Sequence, residues 1–438
     1  MVPYSLSIGI AFTDSTGRKM KLHAKIRLAF LDGKYAALQG SYWMAYCVLG
    51  SFAALFLIQK KYTDFEIGII LAAGSVLAVL LQFVLASLAD SCRRISVGTI
   101  VTASSGTLLA ASIALSLLSD TREPVAGLLV ASLAILVMMQ PFINSLCFLP
   151  RTSGDAINFG FARGIGSLSY ALAAVVVGKA VKFQGASLVP LFFVATSSAL
   201  FLSVLVFLGR NNTCNVPTLE IKKVRTENNP AKDTGSGGSI HFARTHTKFL
   251  LFSVSVFLIF FDHSLINNFF VRIIMNVHGD IAQMGNCLGL AAILELPVMI
   301  AFWFFKEQIR CATALKLSGI MFLLKHLLTF CAHSVEPLYA AQFFQLGAFA
   351  LFIPAATYYA EKTLSPRDLV KGQTFIMGAI TLSGVFASLF GGIALERYGV
   401  EKTLFIGLCV SAVGTVALFA SLGSEPSSHP KQWSCLRK

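Results

Sequence analysis

The chain has 438 residues, of which 55% are hydrophobic and 13% charged, and its formal net charge is +14. A soluble domain carries about 25% charged residues, so this composition excludes an ordinary soluble globule. In a soluble protein the basic excess would point to nucleic acid; here it reads as basic loops beside a membrane, with no nucleic-acid partner.

Residues 1–34 are mixed and basic, with no apolar core ahead of a cleavage site, and read as a cytoplasmic tail rather than a signal peptide. Twelve apolar spans follow, at about 36–59, 66–89, 95–118, 124–150, 157–181, 187–209, 250–275, 282–305, 311–333, 337–361, 371–395 and 402–421. Each is long enough for a hydrocarbon core of ~30 Å at 1.5 Å per residue. Backbone groups in lipid must be satisfied within the segment, so the spans are helices. The expected fold is an all-α polytopic membrane protein, with six helices over 35–209, a polar cytoplasmic linker over 210–248, six more over 249–422 and a tail over 423–438. The linker contains TENNPAKDTGSGGS, which cannot form a core. With both termini inside, 25 Lys and Arg fall on inner connections and 8 on outer ones, so the expected location is a cell membrane with both ends cytoplasmic. Nine scattered cysteines without a CxxC pair read as small buried hydrophobes.

An internal repeat supports the division into halves. PFINSLCFLPRTSGDAINFGFARGIG from Pro141 is similar to PAATYYAEKTLSPRDLVKGQTFIMGAI from Pro354, pairing Asp155 with Asp368 and, after a one-residue slip, Gly160 with Gly372 and Gly166 with Gly378. ADSCRR and FKEQIR echo one another at the inner ends of the second and eighth spans. Repeated six-helix halves with sites near the midplane describe one large class of secondary transporter.

Ionisable residues deep in the spans are the informative ones, because an unpaired charge there costs ~3 kcal/mol or more. Asp262, Glu295 and Lys325 lie roughly 18, 15 and 21 Å from the inner face at 1.5 Å per residue, with His263 and His326 nearby in sequence. The economical arrangement brings the three charges together in one cleft. A static Glu295–Lys325 pair, a proton-coupling acid and direct solute contact are all open readings, since desolvation disfavours a carboxylate's charged form. Pro297 would loosen the helix beside Glu295.

Arg163 sits roughly 9 Å into the fifth span, at the depth of Asn144 on the fourth, with Tyr170 two turns further along its face and Gly160 and Gly164 forming GxxxG. A five-donor fork beside an aromatic platform fits a sugar or an aromatic ring; snorkelling to cytoplasmic water is the competing reading. Gln39 and Trp43 share a face of the first span with Tyr46, and Asn267, Gln342 and Gln345 add neutral amides. As a set they describe a wet cavity for a polyhydroxylated or heterocyclic solute, although each alone fits an interhelical hydrogen bond. P-loop, HExxH and GxSxG motifs are absent from the sequence, so neither an enzyme nor a cofactor is expected.

These residues resemble the major facilitator superfamily over nearly the whole chain. NFGFARGIGSLSYAL is similar to the span-five signature of the lactose permease branch of proton-coupled sugar symporters. ASLADSCRR resembles the superfamily's inner-gate loop, which implies gating roles for Asp90, Arg93 and Arg94; Ala86 stands where that motif has glycine. ILELP around Glu295, with a basic residue in the ninth span, resembles a wider set of permeases that includes nucleoside and aromatic-acid transporters. The resemblance implies that Arg163 binds solute, Tyr170 stacks on it and Lys325 takes part in coupling. Asn144 replaces the acid that the sugar permease sets against its arginine, and Gln345 and Ala348 replace its histidine and glutamate. The resulting expectation is a monomeric proton symporter of a small sugar or oligosaccharide working by alternating access. Substrate contacts are expected from Arg163, Tyr170, Asn144, Gln39, Trp43, Asn267 and Gln345, and coupling from Glu295, Asp262 and Lys325. The alternatives are an importer of a nucleoside or aromatic acid, a drug or metabolite exporter, and a membrane sensor that no longer transports.

Overall fold

In the computed structural model the described residues are 22–91, 95–119, 121–147, 157–209, 245–305, 310–365 and 368–422. Side chains are described for fewer of them, and the gating residues Asp90, Arg93 and Arg94 lie outside that set. Everything regular among these residues is helical. We number the membrane-crossing helices α1–α12. Helix α1 comprises Leu22–Tyr46, a π turn at Cys47–Ser51 and Phe52–Gln59. It is followed by α2 (Asp64–Ser91), α3 (Val97–Leu117), α4 (Arg122–Ser145), α5 (Phe159–Gln184) and α6 (Val189–Leu208). The second half contains α7 (Thr247–Asn268, continued by Phe270–Asn276), α8 (Ile281–Phe305), α9 (Cys311–Phe330) and α10 (Val335–Phe343, then Phe349–Thr363). The last stretch, Leu369–Ser421, is continuous apart from Gly399, whose φ of 77° and ψ of 179° turn the chain back. At 1.5 Å per residue that stretch measures roughly 80 Å, far more than one crossing, so it is α11 (369–398) and α12 (400–421). A side chain at φ of 77° would be strained, which is why glycine occupies this turn.

The first helix starts at Leu22 rather than near residue 36. Nothing between Leu22 and Asp32 breaks a helix, and Gly33 is tolerated in the interior at a cost of about 1 kcal/mol, so part of the expected tail extends α1. Pro141, Pro297 and Pro354 all lie inside helices. Helix α10 is interrupted at Phe344–Leu346 by a tighter turn, with Gln345 at its centre.

Two buried clusters fill the molecule. Tyr35, Tyr42, Phe52, Phe56 and Phe193 anchor the first, which crosses from the first half into α7, α8, α10, α11 and α12; Phe252, Phe260, Phe322 and Phe352 anchor the second, which lies within the second half. Lipid tails are as apolar as these residues, so small-residue contact and polar pairing, rather than apolar burial, bring the helices together. The halves meet most closely at the end opposite the termini, called distal here. A Cβ on Gly178 of α5 would stand 2.8 Å from the Ile281 carbonyl oxygen and 3.0 Å from Gly285 Cα of α8. A Cβ on Gly392 of α11 would stand 3.2 Å from Gly68 Cα of α2. Neither crossing has room for a methyl group.

The two crossings are pseudo-symmetric. Thr63 and Glu66 exchange cap hydrogen bonds at the start of α2, and Asp280 and Gln283 do so at the start of α8. In each helix the close-contact glycine comes five residues after the cap. Four residues beyond Gly178, Lys182 donates to Asp280 at 2.8 Å; four beyond Gly392, Glu396 accepts from the Phe65 amide at 3.0 Å. Arg272 donates to Asp64 at 2.7 Å, adding an ion pair between α7 and α2. Immediately below the Gly68–Gly392 contact, α2 and α11 separate. An apolar groove lined by Ile69, Val76, Leu80, Val385 and Leu389 opens there.

Candidate functional site

Arg163 stands just over one turn inside α5, where Asn158 caps the helix by accepting from the Phe161 amide at 3.0 Å. Its guanidinium lies over the Trp43 ring, 4.0 Å from the centroid, and donates to Ser167 Oγ at 2.8 Å. A hydroxyl one turn on and an aromatic face thus hold the arginine within the protein, a cation–π arrangement, rather than leaving it extended toward water. Trp43 packs edge-on against Tyr42 and Tyr46, with centroids at 5.4 and 5.3 Å. Trp43 also lies against Gly166, where a Cβ would stand 2.6 Å from its ring.

Tyr170 follows on the same helix. Its hydroxyl shares a 2.7 Å hydrogen bond with Ser51, the last residue of the π turn in α1. Such turns add a residue to the helix and recur at functional sites. Gln39 is fully buried; it donates to Asn144 Oδ1 at 3.0 Å and to the Tyr35 hydroxyl at 2.8 Å. The Gln39 nitrogen is therefore committed to Asn144 and Tyr35, whereas Gln39 Oε1 is left without a partner.

Across the seam, Glu295 on α8 is half-buried and accepts from Gln345 Nε2 at 2.9 Å. Gln345 Oε1 accepts from Lys325 Nζ at 2.6 Å. The acid and the base are thus joined through an amide rather than as a direct ion pair. The turn that interrupts α10 is what carries that amide between α8 and α9. Arg163 lies within electrostatic reach of Glu295, and Lys325 within reach of the same acid. Leu296 is the α8 side chain nearest Gly164, so α5 and α8 meet at this level.

Asp262 is elsewhere. It is buried inside the second half, with Oδ2 3.0 Å from His326 Nδ1. The imidazole nitrogen is aligned instead on Ser411 Oγ at 2.8 Å, so neither carboxylate oxygen has a hydrogen-bond partner despite the short separation. Gly407 of α12 leaves the space that the carboxylate fills. The expectation that Asp262, Glu295 and Lys325 meet in one cleft is thereby corrected. Glu295 and Lys325 are joined, whereas α12 supplies Asp262 with a pocket of its own. His263, next to it in sequence, is bonded to the exposed Asn267 at 3.0 Å and stacks on Phe349, with the His326 ring 6.3 Å from its own.

Several supporting residues were not singled out from sequence. Ser167, Ser51 and Tyr35 carry no pattern that distinguishes them from other small or aromatic residues in apolar helices. The cap pairs at Thr63 and Asp280 do fit the capping-box signature.

Twelve crossings in two matched halves, with charged and aromatic side chains facing one another at mid-depth, define a membrane transporter. The family model described as "MFS_1 like family" matches residues 35–406, and the chain belongs to that family of the major facilitator type. An "Uncharacterized transporter YwbF" of Bacillus subtilis (strain 168) is 24% identical over 411 residues, covering 90% of this chain and 95% of that protein. The crystal structure of nucleoside transporter NupG matches with a TM-score of 0.69 at 15% identity, covering 90% of this chain and 100% of that one. A POT family transporter in complex with 5-aminolevulinic acid matches at 0.63 and 14% identity, covering 89% and 96%. A bacterial homologue of the human lysosomal transporter Spinster, inward-facing and occupied, matches at 0.61 and 14%, covering 92% and 97%. These likenesses establish a shared fold.

Proposed function

We propose that the protein is a proton-coupled symporter of a small solute, working by alternating access at the Arg163–Glu295 seam. We also propose that both termini lie in the cytoplasm of a cell membrane. The observation that carries this is the meeting of α5 and α8 at Gly164 and Leu296, which sets Arg163 of one half near Glu295 of the other, where the interrupted α10 delivers Gln345. Distal closure through Gly178–Gly285 and Gly68–Gly392 supports a state open toward the termini.

Glu295 is the proton carrier in this reading. Ionised, it attracts Arg163 across the seam and holds Gln345; protonated, it loses the first attraction and weakens the second. Solute and proton then change the same contacts between the halves, which is what coupling requires. Asp262 lies against His326 and Gly407, both of the second half, so it is the weaker candidate. Arg163, with Trp43 and Tyr170 beside it, forms the solute side.

A sugar or oligosaccharide is the second reading, favoured by the spacing of Arg163 and Tyr170. It is weakened because Gln39 and Asn144, the amides expected to meet hydroxyls, are bonded to each other. Uptake into proteoliposomes under an imposed pH gradient tests the function. One proton per solute and a difference of about one pH unit give about tenfold accumulation. Solute binding without flux would favour the sensor reading instead.

A further inference from the structure

We infer that the second half carries a proton-binding site of its own, Asp262, which is loaded from the exposed Asn267 through His263 and His326. It lies apart from the Arg163–Glu295 seam and uses none of that seam's groups. Among the described residues, seven buried side-chain nitrogen and oxygen atoms have no hydrogen-bond partner, and four of them are here: both Asp262 oxygens, His263 Nδ1 and His326 Nε2. Buried polar atoms are rarely left unmatched. In a membrane core, chains of acids and histidines mark proton routes.

The outer hydrogen bonds fix which nitrogen of each ring carries a hydrogen. Asn267 Nδ2 can only donate, so His263 Nε2, 3.0 Å away, accepts and the ring's own hydrogen is on Nδ1. His326 Nδ1 lies 2.8 Å from Ser411 Oγ and 3.0 Å from Asp262 Oδ2. With a carboxylate that close, Nδ1 bears the hydrogen and Nε2 is left as an acceptor. One ring therefore presents an unmatched donor and the other an unmatched acceptor. Their centroids are 6.3 Å apart, with the planes 27° from parallel. That separation is too long for a direct hydrogen bond and suits one bridging water.

A proton arriving at the exposed end takes the place of the Asn267 amide on His263 Nε2. The Nδ1 hydrogen passes to the water, and the water gives one of its own to His326 Nε2. The His326 Nδ1 hydrogen then turns from Ser411 to Asp262 Oδ2. One proton has entered and one has settled on the carboxylate, and each ring keeps a single hydrogen, now on its other nitrogen. Release runs the same steps backward. A proton is the ligand that fits: a Cβ on Gly407 would already stand 2.9 Å from Asp262 Cγ, and no group of three His, Cys, Asp or Glu able to hold a metal ion occurs among the described residues. Helix α10 faces the route with Phe349, α9 with Phe322, and α12 with Gly407 and Ser411, none of them titratable. Lys325, beside His326 in sequence, donates instead to Gln345 at 2.6 Å. Every member of the route belongs to the second half. The proton is thus held whichever way the seam opens, and it is additional to any carried by Glu295.

Infrared difference spectroscopy of the purified protein in lipid, recorded across a pH series, reads the carbonyl stretch of protonated carboxyl groups. The Glu295→Gln background removes the acid at the seam. A band that titrates in this background and disappears in Asp262→Asn is expected; spectra that Asp262→Asn leaves unchanged overturn the site. The relay is read as a rate, the shift of that band after transfer to D2O. His263→Phe, which keeps a ring against Phe349, and His263→Leu should each slow the shift by about a hundredfold, the low end for a positioned proton-transfer group, while the band still titrates. A shift at the parent rate in both variants overturns the relay. No solute enters either measurement, so failure here leaves symport at the seam standing, and failure of symport leaves this site standing.

Discussion

A single hydrogen bond separates two accounts of Arg163. Its guanidinium is held by Ser167 and the Trp43 ring, so the side chain is aimed before any solute arrives. Lysine has neither the planar fork nor the stacking face. Arg163→Lys is therefore expected to weaken solute binding about tenfold, ~1.4 kcal/mol, measured by titration calorimetry; unchanged affinity would return the residue to snorkelling. Glu295→Gln keeps a carbonyl to accept from Gln345 but abolishes the charge. Exchange of labelled solute across the membrane should persist while pH-driven accumulation falls to the external level. Retention of full uphill uptake would remove Glu295 from the coupling role. The position of both residues along their helices was legible from sequence by counting. The amide between Glu295 and Lys325 was not, because three residues on three helices share no sequence spacing.

At the scale of helices, the Asp262 pocket and the distal crossings make opposite demands on small residues. Gly407 gives up its side chain so that a carboxylate fits between α7 and α12; a Cβ there would stand 2.9 Å from Asp262 Cγ. Gly407→Ala should destabilise the protein by about 1–3 kcal/mol, the usual cost of overpacking, read as a lower unfolding midpoint. Gly178 and Gly285 give up theirs so that two backbones touch. Gly178→Val would force α5 and α8 apart at the distal end. With Ala186→Cys introduced at that end, where the alanine is buried, a cysteine-reactive probe should then label faster than in the same variant with Gly178 kept; an unchanged rate would mean the crossing yields elsewhere.

Charge reinforces the same crossing. The Lys182 hydrogen bond, with the Gln283 amide in a lesser role, holds the Asp280 carboxyl below its ordinary value of 3.8. A depressed acid stabilises the closed end at pH above its unfolded value, and the contribution is lost as pH falls through the lower folded value. Distal accessibility should thus rise only below about pH 4. The effect should be small, since exposed pairs are worth ~0–1 kcal/mol, and Lys182→Gln should remove it.

At the scale of the whole molecule, the six-plus-six plan follows from one physical requirement. A chain in hydrocarbon must satisfy its backbone within each crossing, so hydropathy and the polar linker count the helices without reference to their packing. The interruption of α10 at Gln345, the π turn ending at Ser51 and the turn at Gly399 modify that plan locally. Only the last was marked by a residue type with an obvious backbone meaning. The pseudo-symmetry of the distal crossings lies in pairs such as Gly68 with Gly392, 324 positions apart. It emerges when the two halves are set against each other.

The sequence by itself determined the helices, their number and the position of each buried charge along its helix, because these depend on local periodicity and on the price of polarity in lipid. The tertiary structure alone decided which charges meet: Glu295 with Lys325 through Gln345 and opposite Arg163, and Asp262 apart with His326. Helix rotation and crossing are set by long-range contacts between small residues such as Gly178, Gly285 and Gly407. Those contacts leave no periodic trace along the chain.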